Sequence, residues 1–336
     1  MGYPLHDTTV YDAEVDPSLP NHSHSYSLAM VGFNKRVLEL GCTAGHFTRA
    51  LVKQGCAVVG VEIDPAAAEG ARAVAEQVVV ADLDHPEALS HLAESQFDVV
   101  MAGDTLEHLR DPLPVLRTCR RLLKPEGFVV VSVPNVAHAD LRLTLLAGRF
   151  PYRESGLLDS THLRFFTRQT LHDLLWAAGF VTVDIKRVVV PIFQAEFQVD
   201  PSQFPASVIE RILEDPEAET YQFVVKAVLD DGHAASRELS GKYEAIEEQL
   251  YQRGRELARM ADRLGACELE VAAATNAAAA AGQRSTDLER LAAEASDRAV
   301  EAERALAALL DTRTVRYLAP FRRGYGRVRG TLRRLS

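Results

Sequence analysis

The sequence predicts an α/β head followed by a long helical rod. Short apolar runs alternate with helical stretches from residue 36 to residue 133 of the 336-residue chain, a pattern typical of a parallel sheet with helices on both faces. The apolar runs are rich in valine and do not alternate with polar residues, as expected of strands buried on both faces. From Leu239 onward, an apolar residue recurs at alternating steps of four and three, which indicates a coiled coil.

The predicted elements follow in chain order. An N-terminal arm is expected at 1–35, with one short helix near 26–31, before a domain spanning 36–230. Its predicted strands lie at 36–40, 57–62, 77–81, 97–101, 128–133, 180–190 and 221–229. Its predicted helices lie at 45–54, 65–76, 86–93, 112–123, 171–178 and 207–213. The long segment 134–168 is rich in Gly, Arg, His and aromatic residues, and insertions of this length often form substrate lids.

Composition and charge narrow the class of protein. The net charge of −10 gives no general attraction to nucleic acid, so no nucleic-acid partner is expected. Residues 313–336 nevertheless carry eight arginines and no acid, so the rest of the chain has a charge near −18. The four cysteines are scattered without a CxxC pair, and no signal peptide or membrane-spanning run is evident. We therefore expect a cytoplasmic protein with reduced thiols.

The rod is predicted over residues 235–312. Its apolar seam is sustained for about ten heptads, and only Arg253 and Ser285 interrupt it. The coiled coil would be roughly 100 Å long, would mediate self-association, and would be weakest in its alanine-rich middle. A solitary charged helix is the alternative, and the number of strands in the coil is left open.

The C-terminal tail at 313–336 is basic and amphipathic. Arginines alternate with tyrosine, leucine and phenylalanine, and Pro320 with three glycines prevents a long helix. Such segments favour contact with an anionic membrane surface, here the inner face of the membrane. A disordered basic end, or one that folds onto acidic faces of its own oligomer, is the alternative.

A glycine loop after the first strand indicates the kind of cofactor. The run "LELGCTAGHF" places Glu39 before the bend, with Gly41 and Gly45 in the loop. A nicotinamide dinucleotide site would need glycines where Thr43 and His46 stand, and the Gly-Lys-Ser/Thr of a phosphate loop is absent. An acid at the bend would repel a pyrophosphate and attract an ammonium group, so a cationic ligand is expected.

Acids follow the next strands as well. Glu62 lies about 20 residues after the loop, where an acid can accept the hydroxyls of a ribose. Asp82 follows the third strand, and Asp104 follows the fourth in "FDVVMAGDTLEHLRDP". Acids at successive strand ends on one edge of a sheet describe a site for an adenosine that carries a cationic amino acid. The sequence therefore predicts S-adenosylmethionine as the cofactor.

Residues 36–190 resemble a class I S-adenosylmethionine-dependent methyltransferase. They are similar to the branch that includes ubiquinone-biosynthesis O-methyltransferases and bacterial glycan-cluster methyltransferases. The motifs behind this resemblance are "VLELGCTAG", "VVGVEID", "FDVVMAGDTLEHLRDP", "LLKPEGFVVVSVPN" and "DSTHLRFFTRQTLHDLLWAAGF". The resemblance implies a Rossmann-like, doubly wound, seven-stranded sheet whose last strand, 221–229, is antiparallel.

The resemblance also implies roles for individual residues. The loop Glu39, Gly41, Cys42, Thr43, Ala44 and Gly45 would face the methionine part of the cofactor. Glu62 would bind the ribose, Ile63 would pack on the adenine ring, and Asp82 with Leu83 would contact its edge. One departure from the family is that Thr43 and Ala44 occupy the inner loop positions, where a middle glycine is usual. Thr43 there offers a hydroxyl to the ligand.

Methylation of a hydroxyl requires removal of its proton, and histidine suits this role near neutral pH. His108 directly follows the fourth strand and His162 lies in the expected lid, with Glu107 or Asp159 available to orient an imidazole. Both histidines could equally be structural. Acceptor contacts are expected from Arg164, His138 and Tyr152, although Arg164 could instead be solvated or paired with an acid. No cluster has the spacing of a divalent metal site, so metal-independent transfer is expected.

The complete architecture suggests a substrate class. A catalytic head, a rod and a basic tail resemble the layout of bacterial enzymes that modify lipid-linked surface polysaccharides, so we expect O-methylation of a sugar or glycan-linked acceptor. Methylation of a small phenolic or quinone precursor is the first alternative. The second alternative is a coiled-coil scaffold with a degenerate head. An apolar pocket would favour the phenol, and an open groove lined by the Arg and Tyr residues of 148–168 would favour the glycan.

Overall fold

A computed structural model describes residues 15–85, 87–230, 234–280 and 285–310 of the chain. The chain divides into two compact units, Met1–Glu244 and Ala245–Ser336. The predicted basic tail and the first 14 residues of the predicted arm lie outside the described residues.

The first unit contains one seven-stranded sheet. Its strands are β1 (Arg36–Leu40), β2 (Ala57–Glu62), β3 (Gln77–Val80), β4 (Phe97–Gly103), β5 (Leu123–Pro134), β6 (Phe180–Val189) and β7 (Thr220–Leu229). They lie side by side in the order β3-β2-β1-β4-β5-β7-β6. The first five strands are parallel, and β7 is antiparallel to both β5 and β6. The prediction of a doubly wound sheet with an antiparallel last strand is therefore confirmed.

Seven helices accompany the sheet: α1 (Ser23–Val31), α2 (His46–Lys53), α3 (Pro65–Arg72), α4 (Pro112–Leu122), α5 (Ala139–Leu146), α6 (Arg168–Ala177) and α7 (Ala206–Leu213). Two of them begin in the same way. Asp64 and Asp111 accept hydrogen bonds from the backbone N–H two residues on, and a proline occupies the first turn. These caps satisfy N–H groups that have no partner within the helix.

The sheet is buried on both faces. Alternate residues of each parallel strand enter opposite core clusters, so that Leu38 and Val59 face one cluster while Val37 and Val58 face the other. Because neither face meets solvent, the strands need no polar alternation. This arrangement explains the continuous valine-rich runs in the sequence.

The predicted helix at 86–93 is wrong. Backbone N–H groups of Ala88, Ser90 and Leu92 donate to carbonyls three residues earlier, at 3.0 to 3.1 Å, which makes a series of turns. Leu89 is buried in the core within these turns. Within residues 87–93, the hydrogen bonds thus follow the i to i+3 pattern of turns rather than the i to i+4 pattern of an α-helix.

Several boundaries also differ from the prediction, and the differences at α1 and at the fifth strand change the architecture most. The expected irregular arm contains α1, which starts three residues earlier than predicted and buries Leu28 and Val31 against the sheet. The fifth strand begins at Leu123 rather than at residue 128, so it includes the "KPEG" segment that was expected to separate helix from strand.

The insertion after β5 has a core of its own. Leu141, Leu143 and Leu158 pack with Phe197 and Ile212, which belong to the segment between β6 and β7. The buried Asp140 accepts backbone N–H groups of that segment, from Phe193 at 2.6 Å and from Ala195 at 2.9 Å. The segment 134–168 therefore contains α5 and packs against the segment that contains α7, and its role as a lid stays a prediction.

Two long helices occupy the region of the predicted rod: α8 (Ala234–Ala280) and α9 (Ser285–Leu310). The association of this region into a coiled coil stays a prediction. Among the helices in the described ranges, none is long and apolar enough to cross a bilayer.

Candidate active site

The glycine loop closes tightly around the end of β1. Gly41 has a φ of +70°, and a side chain there would approach Thr105 Oγ1 to 2.8 Å. Gly45 has a φ of +82°, and a side chain there would meet the Ala71 backbone at the same distance. Both positions therefore require glycine for conformation as well as for space. The loop is therefore held compactly between Thr105 on one side and α3 on the other.

Thr43 explains the departure from the family's loop. It adopts a left-handed backbone with a φ of +44°, a conformation that normally favours glycine. Its N–H donates to a Glu62 carboxylate oxygen at 2.9 Å, which holds the loop against the end of β2. The chain thus keeps the loop shape of a middle glycine while using threonine, and Thr43 itself is exposed.

Cys42 and Ala44 belong to the same loop but pack against different elements. Cys42 is buried beneath the loop, with its Sγ against Gly60 of β2, and its N–H donates to Val61 O at 3.1 Å. Burial raises the pKa of the Cys42 thiol to about 12. The predicted cofactor contact of Cys42 is therefore corrected to a supporting role, because its side chain packs into the sheet. Ala44 packs against Gly70 of α3.

Glu39 lies below the loop as a buried acid. It accepts a hydrogen bond from Thr48 Oγ1 of α2 at 2.6 Å. Burial raises its pKa to about 8, and the nearby Glu62 charge acts in the same direction. A carboxyl in this state becomes ionised most readily beside a cation. The acid predicted for an ammonium group is therefore present and lacks a fixed cationic side chain among the contacts described for it.

The ends of β2 and β3 supply the remaining predicted cofactor residues. Glu62 accepts backbone N–H groups from both Thr43 and Asp64 at 2.9 Å, so its carboxylate is held in place. Ile63 is 63% exposed beside it, and Leu83 is buried. Asp82 accepts the Asp84 N–H at 2.9 Å. A rigid acid next to an exposed aliphatic side chain suits a ribose with an adjoining flat base.

Asp104 marks the end of β4. Its backbone has a φ of +49°, an unusual value for a residue other than glycine. The carboxylate accepts hydrogen bonds from Ser132 Oγ of β5 and from Gln222 Nε2 of β7. Residues held in such conformations by their surroundings often belong to functional sites.

His24 of α1 also reaches this region, and the sequence did not indicate it. Burial lowers the pKa of His24, whereas the Asp104 charge opposes that shift. Its ring lies 5.5 Å from that of Phe47 at the start of α2. The N-terminal helix α1 therefore brings His24 next to the start of α2 and within electrostatic reach of Asp104. The only sequence signal was a histidine-containing arm without regular apolar periodicity.

Glu107 is the most unusual acid of the site. It belongs to a short 3₁₀ turn, Leu106–His108, and is 1% exposed. Neither carboxylate oxygen has a hydrogen-bond partner within the described residues. Burial raises its pKa well above the ordinary value, and Asp104 and Asp159 act in the same direction. This shift favours the protonated form of Glu107.

His108 is oriented by the lid. Thr161 Oγ1 lies 3.0 Å from His108 Nδ1 and donates to Asp159 Oδ1 at 2.7 Å. The His108 ring packs edge-on against His162, with 4.9 Å between ring centroids. Burial lowers the pKa of His108, and His162 adds to the shift. Of the two acids proposed to orient an imidazole, Asp159 does so through Thr161.

The fold also brings together possible metal ligands that are distant in sequence. One ligand atom from each of Glu107, His108 and His162 lies within 4.8 Å of the others. The spacing along the chain had predicted no such cluster, because His162 comes from the insertion.

Backbone hydrogen bonds join the insertion 134–168 to the 3₁₀ turn Leu106–His108. The Glu107 carbonyl accepts the N–H groups of Leu163 and Arg164, at 2.7 and 2.9 Å. From His108, ring contacts lead outward to the surface. This aromatic row consists of His108, His162, Phe165, Phe150 and Tyr152, with centroids of neighbouring rings 4.9 to 6.4 Å apart.

The predicted acceptor residues have different outcomes. Tyr152 is 62% exposed at the outer end of the aromatic row. Arg164 donates from Nε and Nη2 to the Arg110 carbonyl, so its guanidinium is engaged by the chain itself. His138 is fully buried, accepts the Asp140 N–H at Nδ1 and contacts Val190 O through Nε2. Its expected role in acceptor binding is therefore wrong, because Nδ1 caps α5 and Nε2 is engaged by the Val190 carbonyl.

Known proteins share this domain. Residues 28–185 match a family model described as a methyltransferase domain. The ubiquinone biosynthesis O-methyltransferase of Cereibacter sphaeroides is 33% identical over 160 residues, which cover 46% of this chain and 63% of that protein. The protein of the same name from Ruegeria pomeroyi is 37% identical over 163 residues, with the same shares of each chain. This chain thus spans less than two thirds of the length of these relatives.

Among solved structures, a SAM-dependent methyltransferase from Archaeoglobus fulgidus is 21% identical, with a TM-score of 0.47. The match covers 63% of this chain and 94% of that one. Residues 28–185 thus match a methyltransferase domain over just under half of the chain, and the acids and glycines at the ends of β1 to β4 fit S-adenosylmethionine as its cofactor.

Proposed function

We propose that this protein transfers a methyl group from S-adenosylmethionine to a hydroxyl group of a small aromatic acceptor, with His108 as the base. The observation that carries the proposal is the placement of His108. It lies directly after β4, its ring is fixed by Thr161 and Asp159, and the aromatic row leads from it to the surface. Few other roles require a neutral, oriented imidazole at that point.

The residues of the loop fit the cofactor. Buried Glu39 favours an ammonium group, and fixed Glu62 suits the ribose hydroxyls. Gly41, whose φ is +70° and whose Cβ would collide with Thr105 Oγ1, keeps the loop compact at the end of β1, and we infer that the cofactor binds beside it. When bound, S-adenosylmethionine supplies an electrophilic methyl group on a positively charged sulfur.

His108 is suited to receive the acceptor's proton. An ionised Asp159 can only accept hydrogen bonds, so the Thr161 hydroxyl proton points to it, and Thr161 Oγ1 then accepts from His108 Nδ1–H. The neutral ring therefore carries its proton on Nδ1 and has a lone pair on Nε2. The lowered pKa of His108 keeps the ring neutral at physiological pH. As the acceptor oxygen attacks the methyl carbon, its proton passes to Nε2.

The surface next to His108 favours an aromatic acceptor over the glycan expected from the architecture. Phe150, Leu163 and Phe165 are 40%, 53% and 37% exposed, a cluster of apolar surface beside the catalytic turn. Two arginines that could line a glycan groove contact the chain itself instead, since Arg153 lies over the Phe197 ring and Arg164 binds a carbonyl. The relatives are named ubiquinone biosynthesis O-methyltransferases, which supports a small phenolic or quinone-type acceptor.

Turnover of the full chain with defined acceptors tests this proposal. Production of S-adenosylhomocysteine would be measured with simple catechols, nucleotide sugars and lipid-linked glycans in parallel. We expect turnover with catechols, and Phe165→Ala should raise their KM about tenfold through lost apolar contact. The control Phe33→Ala, at an exposed phenylalanine just before the amino end of β1, should leave KM unchanged. Turnover restricted to glycans would reject the aromatic acceptor.

Cofactor binding separates an enzyme from a scaffold. Calorimetry with S-adenosylmethionine should show one site per chain. A head that binds no cofactor would instead support the scaffold alternative.

We also propose that the tail at 313–336 contacts an anionic membrane surface, so that the enzyme works in the cytoplasm at the inner face of the membrane. The support is its eight arginines without an acid. Co-sedimentation of the full chain with phosphatidylglycerol vesicles should exceed that with phosphatidylcholine vesicles, and a chain ending at residue 312 should lose the difference.

A further inference from the structure

A continuous stripe runs along the two long helices. In α8 it consists of Leu257, Met260, Leu264, Cys267, Val271 and Ala274, and in α9 of Ala292, Ala295, Ala299 and Ala302. We call this stripe the heptad face. Its members in α8 are only half-buried within the chain, whereas Leu269, on the opposite side of the helix, is 73% exposed.

The spacing of the heptad face is maintained between the two helices. The sequence positions 274, 278, 281, 285, 288 and 292 keep the alternation of four and three without a skipped residue. Assigning Leu257 and Leu264 to position a, and Met260 and Cys267 to position d, gives one register for both helices. A single register over this length is what a two-stranded interface requires.

The flanking charges favour one orientation of a second copy. Arg263 and Arg298 fall at g positions, and Glu268 and Glu303 fall at the e positions five residues later. All four side chains are exposed. In a parallel, in-register pair, each g position faces the e position of the next heptad on the other copy, so both arginines meet a glutamate. An antiparallel pair sets e against e, which opposes glutamate to glutamate.

We propose that the heptad face binds a second copy of this chain in parallel and in register. Opposite charges at the g and e positions complement each other in this orientation, and the apolar stripe is covered along its length. Each heptad-face residue then lies beside its own counterpart, so that Cys267 of one copy faces Cys267 of the other.

Short-range crosslinking of the full chain tests both orientation and register. Cys42, Cys56 and Cys119 are buried in the head, so a short bismaleimide should react mainly at Cys267. We expect a covalent dimer that Cys267→Ser abolishes. In that background, Ala274→Cys, also at a d position, should restore the dimer, whereas Leu269→Cys on the opposite side should not.

The pattern of crosslinks decides the outcome. In an antiparallel pair, only one position of the helix lies next to the same position on the other copy. Dimers at Cys267 without dimers at Ala274→Cys would therefore overturn the proposal. A chain that sediments as a monomer at about 100 µM, a concentration well above the expected Kd of an extended coiled coil, would also overturn it.

Charge exchange provides an independent test. Arg263→Glu alone and Glu268→Arg alone should each weaken self-association about tenfold in sedimentation equilibrium, because each opposes like charges twice in a symmetric pair. The double exchange should restore most of the affinity. Two single variants that bind as tightly as the native chain would contradict the assigned pairing.

Discussion

The two halves of the proposed active site, which we call the cofactor half (the loop 39–45 and Glu62) and the acceptor half (His108 and the insertion), are assembled differently. In the cofactor half, the loop N–H of Thr43 meets Glu62 only 19 residues away, and each acid follows directly from a strand of the sheet. In the acceptor half, His108 is oriented by Thr161, which lies 53 residues further along the chain. The first half is therefore fixed by the sheet itself, whereas the second depends on how the insertion packs.

The two halves also differ in chemistry. Acids and backbone groups dominate the cofactor half, while histidines and exposed aromatic rings dominate the acceptor half. This division fits a common donor combined with a variable acceptor, since the insertion can change without disturbing the strand ends. Variants confined to one half should accordingly leave the other half intact.

The largest effect is expected from His108→Asn. Loss of a general base typically slows the chemical step by about 10²- to 10⁴-fold, so kcat with a catechol acceptor should fall in that range. Cofactor affinity by calorimetry should be unchanged, because His108 belongs to the acceptor half. His172→Asn, on α6, is the matched control and should retain kcat. A loss of cofactor affinity as large as the loss of kcat would show that the two halves do not function independently.

Glu62→Ala should have the converse effect. The variant loses charge-assisted hydrogen bonds to a ribose and frees the Thr43 N–H, so cofactor affinity should fall about a hundredfold, or about 3 kcal/mol. Calorimetry measures this loss. Glu76→Ala removes an acid paired with Arg36 near the amino end of β1 and should bind the cofactor normally. Normal affinity in Glu62→Ala would refute the ribose assignment.

Thr161→Val should show whether the lid positions the base. The Thr161 hydroxyl links His108 Nδ1 to Asp159. Without this link the tautomer of the imidazole is no longer fixed by Asp159, so kcat should fall about tenfold. The pH at which kcat is half-maximal should move as well. Thr161→Ser keeps the hydroxyl and should restore both values. A loss that serine does not restore would indicate a packing role instead.

The pH dependence of cofactor affinity tests the acid beneath the loop. The pKa of Glu39 is raised to about 8, so its carboxyl is protonated in the free protein at neutral pH. An ammonium group favours the carboxylate, so binding releases a proton and affinity should rise with pH between about 6 and 7.5, by up to tenfold per unit. Calorimetry in buffers of different ionisation enthalpy measures the number of protons that are released on binding. Glu39→Gln should remove the slope, and a slope that persists would assign the proton to another group.

The sequence placed the residues predicted to bind the cofactor at one edge of the sheet because the information for that placement is local, and their binding role stays a prediction. Strand, glycine loop and acid lie within a few residues of each other, so Glu39, Gly41 and Glu62 were found without knowledge of the fold. The orientation of His108 by Thr161, and the proximity of Glu107 to His162, depend on contacts made across the insertion. His138 was misassigned for the same reason, since only packing shows that it caps α5. Leu89 suggested a helix because apolar spacing cannot distinguish turns from a helical face.

Thr43→Gly should give the smallest effect and concerns the one loop residue that departs from the family. A left-handed backbone costs a residue other than glycine about 1 kcal/mol, and the gain on replacement is partly offset by the greater freedom of glycine in the unfolded chain. The net stabilisation should be about 0.5 kcal/mol in urea unfolding. Ala44→Gly, at the next residue, which has no positive φ, should destabilise instead. Because the Thr43 N–H to Glu62 is retained in Thr43→Gly, cofactor affinity should stay within about threefold; a larger loss would mean that the threonine side chain itself contacts the cofactor.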